Sequence, residues 1–320
     1  MIAALRSSHP FFFSVSSFLL LLALFPVFNN ENFSSTHLGP YYLMHFIPGY
    51  LKYLIGAFVL FYSSLLINRI VNQSVLFNRN FYLPGLFYIS LMLFFPANGT
   101  LHPMAISNLF SILCFGHLIQ VYRNESCKNH IFKACCWTLL AVFCFPSYCV
   151  LFILPWISLL IIRPFVWKEY LMPILSLLFF GIYLIAYLLF FDSTLNVFND
   201  WLSSLLFYSV KIDVRTMGAL GVLVFVTLSI SFKIIFFIYG RSTNRFKKVI
   251  KLLLVYFVLC VLQVGLSVFI FKSNSLSIYG AFVPLSVLIS FVFMHGKKLW
   301  IIDSLFIVYL LSSFIIAYLG

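Results

Sequence analysis

A chain of 320 residues that is 63% hydrophobic, 8% charged and has a mean hydropathy of +1.09 cannot hide its apolar surface in one water-soluble core. A domain of about 300 residues buries only roughly 75% of the surface its unfolded chain exposes, so the surplus here must face lipid. The net charge of +13 comes without a Gly-rich phosphate loop, which argues against a nucleotide or nucleic-acid site and for anchoring at a membrane face.

Backbone polar groups inside hydrocarbon must be satisfied internally, which leaves helices and closed barrels. Apolar runs of about 20 residues without period-2 alternation select helices. The expected fold is therefore all-α: a polytopic transmembrane helix bundle of about ten to eleven spans, with residues 1–320 forming a single integral-membrane domain. The first span, 11–28, follows Arg6 and has the outline of a secretory signal. Pro26, Phe28 and Asn29 stand where a cleavage site needs small residues, so it reads as a retained helix. Further spans are predicted at 50–70, 81–96, 104–122, 173–191, 216–238, 252–271, 276–294 and 299–319. Residues 134–162, interrupted by Pro146 and Pro155, offer two arms of roughly 22 Å each. They either cross twice or form a re-entrant hairpin, and both return the chain to the side it left. Pro84, Pro155 and Pro284 are candidate helix breaks. No period of 20–50 residues repeats.

The basic residues fall in alternate gaps. Sixteen of the 20 Lys and Arg lie on one side, at Arg6, Arg69, Arg79, Arg123, Lys128, Lys133, Arg163, Lys168, Lys233, Arg241, Arg245, Lys247, Lys248, Lys251, Lys297 and Lys298. Only Lys52, Lys211, Arg215 and Lys272 lie on the other. The bias places the N-terminus in the cytoplasm, and the parity of the spans then places Gly320 outside. The densest run, Arg241, Arg245, Lys247, Lys248 and Lys251, reads as a topology determinant in contact with anionic lipid headgroups, each cation contributing about 1 kcal/mol.

The outward surface carries Glu31 in Asn29-Asn30-Glu31-Asn32, with His37 and His45 in the same loop and His102 in the next. Residues 198–211 show apolar residues at helical spacing, with Phe207 out of register, and predict a membrane-parallel helix. Glu31 could remove a proton from an acceptor hydroxyl, or it could simply end a solvated loop. Asp303, about one turn into the last span, would cost several kcal/mol if charged and unpaired, which predicts an intramembrane ion pair with Lys233 or Lys251. The histidines and the seven cysteines show no metal-ligand spacing, so no metal and no cofactor are expected. The cysteines read as small buried hydrophobes, and His117, Gln120 and Gln263 as interhelical hydrogen-bonding groups.

The start Met1-Ile2-Ala3-Ala4-Leu5, then Pro10-Phe11-Phe12, the phenylalanine-rich helices and the run Lys133-Ala134-Cys135-Cys136-Trp137 leading to Pro146 together resemble an uncharacterised bacterial family of multi-pass inner-membrane proteins. The likeness spans most of the chain and implies residence in the bacterial inner (cytoplasmic) membrane. The chain also resembles the GT-C membrane glycosyltransferases in its many spans, its inward N-terminus and an acidic residue, Glu31, in the first outer loop. That likeness implies Glu31 as the catalytic carboxylate, with Arg215, Lys211, Lys52 and Lys272 as the cations that hold a polyprenyl phosphate. The chain departs from that family in having no D-x-D pair, a short first outer loop and no soluble C-terminal domain.

Three functions are compatible with this reading. The first is transfer or polymerisation of polyprenyl-linked sugar on the outer face. The second is a non-catalytic scaffold for envelope assembly or secretion, with membrane protein partners. The third is a carrier or flippase for an envelope precursor. In each the partners are the bilayer and its anionic headgroups, not nucleic acid.

Overall fold

The computed structural model describes residues 48–74, 76–77, 81–93, 103–122, 127–190, 214–271, 276–296, 300, 303–309 and 311–312. The expected first span 11–28, the loop with Glu31, His37 and His45, His102, the surface helix predicted at 198–211, and Lys211 and Lys272 lie outside them. Among the described residues the regular secondary structure is all helical, with ten α-helices. These are α1 (Gly49–Ser74), α2 (Leu83–Leu93), α3 (Pro103–Gln120), α4 (Cys127–Cys144), α5 (Leu154–Ile162), α6 (Trp167–Tyr170), α7 (Met172–Phe190), α8 (Val214–Arg241), α9 (Asn244–Phe271) and α10 (Phe282–His295). Two 3-10 segments, Pro146–Ile153 and Leu276–Ala281, lead directly into α5 and α10. Five helices are long and apolar enough to cross a membrane: Leu51–Ser74, Pro103–Gln120, Trp167–Ala186, Gly221–Arg241 and Asn244–Leu266.

The ambiguous stretch 134–162 becomes a helical hairpin with longer arms than the apolar run suggests. Helix α4 begins at Cys127, before Lys128 and Lys133, and its 18 residues extend about 27 Å. The returning arm joins an eight-residue 3-10 segment to the nine residues of α5, about 30 Å in all. Pro146 and Pro155 stand at the starts of these two pieces, where a missing N–H costs no helical hydrogen bond. Pro84 and Pro284 likewise fall in the first turns of α2 and α10. The prolines begin helices; they do not break them in mid-course.

Two short helices form the centre. Phe282 to Phe293 of α10 are all buried, as are Leu83 to Met92 of α2. Phe87 of α2 packs in a tilted pair with Phe293 of α10, centroids 4.5 Å apart, and Phe306 and Tyr309 close edge-on against it. Such contacts hold helices together where the surroundings are themselves apolar and burial contributes little. Around this pair, α1 and α8 pack on α2 and α10, and α3 bridges α1 to α4.

The outer helices show the opposite pattern. On α7, Leu178, Ile182, Tyr183 and Leu189 are exposed, and on α8 Val222, Phe225, Phe236 and Phe237, as a lipid-facing surface requires. Serine and threonine hydroxyls inside the bundle bond back to carbonyls three or four residues earlier, as Ser63, Ser64, Ser90 and Ser286 do. A few instead cross to a neighbour: Ser107 to the Ala141 carbonyl at 3.0 Å and Ser231 to the Leu288 carbonyl at 2.6 Å.

Candidate functional site

Helices that alternate in direction bring unlike residues to the two ends of the bundle. At one end lie the C-termini of α1, α5 and α8 and the N-termini of α4 and α9, and hydrogen bonds join α9 to α1 and to α5. Arg245 donates through Nη2 to the Gln73 carbonyl at 2.8 Å, and Lys248 through Nζ to the Ile162 carbonyl at 2.7 Å. Both carbonyls belong to last turns, which have no intrahelical donors. Two members of the basic run therefore cap two other helices. Arg241 lies over the Phe237 ring, Lys247 lies over the Tyr239 ring, and Lys251 is exposed.

Arg69, Lys128, Lys133, Arg163 and Lys168 occupy the same cation-rich half. Here Glu169 is buried, with Oε1 3.4 Å from Arg163 Nη1 and no partner for Oε2. Burial and the Glu169 carboxylate push the Cys127 thiol, in the polar turn before the apolar part of α4, up to about 11, and Arg163 opposes them. At the other end, the described cations are Lys52, half-buried in the first turn of α1, and Arg215, in the first turn of α8. Asp303 is half-buried, while Lys233 and Lys251 are exposed.

The cation-poor end holds a buried polar floor. It forms where the two 3-10 segments meet α3 and α9. The Asn108 amide of α3 donates through Nδ2 to the Tyr279 carbonyl at 3.1 Å, and its Oδ1 accepts the Tyr148 hydroxyl. One side chain thus ties both 3-10 segments together. On α9, Gln263 donates through Nε2 to Ser147 Oγ at 3.1 Å, the Cys260 thiol donates to the Gly280 carbonyl at 3.3 Å, and Tyr256 donates to Ser111 Oγ at 2.9 Å. Gly280 lies close against the floor: a Cβ there would lie 3.2 Å from Gln263 Oε1, so that side chain would have to shift by a few tenths of an ångström.

Two polar atoms of the floor are left over. Gln263 Oε1 is buried without a hydrogen-bond partner. The buried Tyr88 hydroxyl sits beside Asn108 and Ser63 at hydrogen-bonding geometry with neither. An unmet amide oxygen or hydroxyl in an apolar interior costs about 1–3 kcal/mol. A ligand hydroxyl or water reaching them would recover it.

The floor is built from neutral amides, hydroxyls and aromatic faces. Its chemistry is that of hydroxyl recognition, and it offers no carboxylate or imidazole for proton transfer. Among the described residues the floor therefore contributes no acid or base, and Glu31 lies outside those residues. Among the described residues no group of three His, Cys, Asp or Glu is placed to hold a metal ion.

Of the polar residues singled out from sequence, Gln263 makes the interhelical bond expected of it. His117 instead faces His130 of α4, with ring centroids 5.7 Å apart. Five of the seven cysteines, Cys114, Cys127, Cys135, Cys144 and Cys260, are buried, whereas Cys149 is exposed. Sequence reasoning missed Asn108, Tyr148 and Tyr279, which are ordinary residues separated by 40 and 171 positions from their bonding partners. A polar amide inside an otherwise apolar span was the available signal at Asn108. No family model, curated protein or solved structure matches the chain.

Proposed function

We propose that the chain is a multi-pass inner-membrane protein that transfers or polymerises a polyprenyl-linked sugar at its cation-poor face, in the manner of the GT-C membrane glycosyltransferases. The supporting observation is the polar floor. Its amides and hydroxyls suit the hydroxyls of a sugar, and two of its polar atoms still lack partners. In this reading Glu31 accepts the proton of the attacking hydroxyl, and Arg215, with Lys211, Lys52 and Lys272, balances the charge of the polyprenyl phosphate. The oppositely placed basic run contacts anionic lipid of the cytoplasmic leaflet.

The two 3-10 segments that lead into α5 and α10 support a second reading, a carrier for the same class of precursor, because transporters place their substrates where regular α-helix gives way to other backbone. The experiment is a profile of lipid-linked glycan intermediates in a strain lacking the protein and complemented by variants. The enzyme reading expects one precursor to accumulate, and Glu31→Ala and Arg215→Ala, at wild-type abundance, to fail to clear it. A carrier would leave both variants active and trap the precursor in the inner leaflet. An unchanged profile in the deletion strain removes both readings and leaves the non-catalytic scaffold.

A further inference from the structure

The cation-rich end contains a cleft between α1, α3 and the start of α9. It has a volume of about 240 Å³ and is lined by Ile70, Gln73, Gly116, Gln120, Tyr122 and Arg245. Its floor is fixed by a close helix crossing, since a Cβ on Gly116 would lie 3.0 Å from Ile70 Cδ1. Its polar groups converge from three helices. Arg245 uses Nη2 on the Gln73 carbonyl, a neutral acceptor, and its Nε is buried without a hydrogen-bond partner. Among the described residues no carboxylate pairs with Arg245. A second cation lies on the Tyr122 ring: Lys248 Nζ, which donates to the Ile162 carbonyl, is 5.5 Å from its centroid.

A guanidinium held by its neighbours, carrying an unused buried donor and facing amides, a phenol and no carboxylate, is a receptor for a compact anion. The cleft is far too small for a folded polypeptide, and Ile70 and Ile119 line it beside the polar groups. We propose that this cleft binds one phosphate group, with Arg245 as its anchor and Gln73, Gln120 and Tyr122 as orienting groups. This assignment separates Arg245 from the rest of the basic run: Arg241, Lys247 and Lys251 supply field without a pocket, and Arg245 supplies a site. It concerns the face opposite the polar floor and stands independently of the sugar-transfer reading.

The test uses the purified full-length protein in detergent, titrated with phosphatidylglycerol, phosphatidylcholine or inorganic phosphate, with bound species counted by native mass spectrometry. One anion is expected to be retained per chain at the tightest site. Arg245→Gln weakens retention about tenfold or more, the loss expected for a charge-assisted hydrogen bond. Gln120→Trp fills the mouth of the cleft without changing charge and has the same effect, which covers the case in which Arg245→Gln fails to fold. Lys251→Gln, which removes an exposed cation, leaves the tight site intact. Retention of phosphatidylglycerol that inorganic phosphate does not displace identifies a lipid headgroup as the source; displacement by inorganic phosphate identifies the free ion. The proposal is overturned if no tight site is found, if Gln120→Trp binds like the wild type, or if Lys251→Gln and Arg245→Gln lose binding equally.

Discussion

Gly85 shows how a single side chain, or its absence, sets the spacing of this bundle. Its N–H donates to Asn68 Oδ1 at 2.8 Å, and a Cβ at this position would lie 2.5 Å from both the Ser64 carbonyl oxygen and Asn68 Nδ2. The first of these is backbone, so the clash could be relieved only by moving α1 away from α2. Gly85→Ala is therefore expected to destabilise the protein by about 2 kcal/mol through overpacking, measured by denaturant titration in detergent. Gly181→Ala, in α7 with open space around it, serves as the control and should be neutral or slightly stabilising. The sequence marks both positions only as glycine within an apolar run. The difference between them is created by which helix lies opposite, and local composition carries no record of that.

At the scale of the element, the apolar runs and the helices follow one another in the same order over the described residues but differ at their ends, and five of the helices are long and apolar enough to cross a membrane. Helix α9 is the clearest case: the apolar run predicts 252–271, and the helix begins at Asn244. The first two turns are polar because their cations turn outward to other helices, Arg245 to the end of α1 and Lys248 to the end of α5. Hydropathy records where a helix is apolar, whereas its length is set by where its backbone is bonded. Helix α4 also starts before its apolar run, with Lys128 and Lys133 exposed on its first turns. The capping role gives an asymmetric expectation. Lys248→Met should cost about 1 kcal/mol through the loss of a charged donor at a helix C-terminus, while Lys251→Met, whose side chain is exposed, should cost close to nothing. Thermal unfolding of the two variants in the same detergent separates them.

At the scale of the whole molecule, two ends of different chemistry emerge from one alternating pattern. The alternation of charge was legible in the sequence, and the described cations follow it: most gather in one half, with Lys52 and Arg215 in the other. The polar floor was not legible, because Asn108, Tyr148, Tyr279 and Gln263 meet only when four separate elements converge. Glu31, Lys211 and Lys272 lie outside the described residues, and the structure places Lys52 and Arg215 at the end that holds the floor.

Sugar transfer at the cation-poor end requires the floor to face outward. The direct measurement is labelling of intact cells with a membrane-impermeant maleimide, in a background carrying Cys149→Ser to remove the exposed thiol. Ser34→Cys, in the loop of Glu31, is expected to be labelled in intact cells, and Thr243→Cys, exposed between α8 and α9, only after lysis. Labelling of Thr243→Cys in intact cells, with Ser34→Cys protected until lysis, would contradict it.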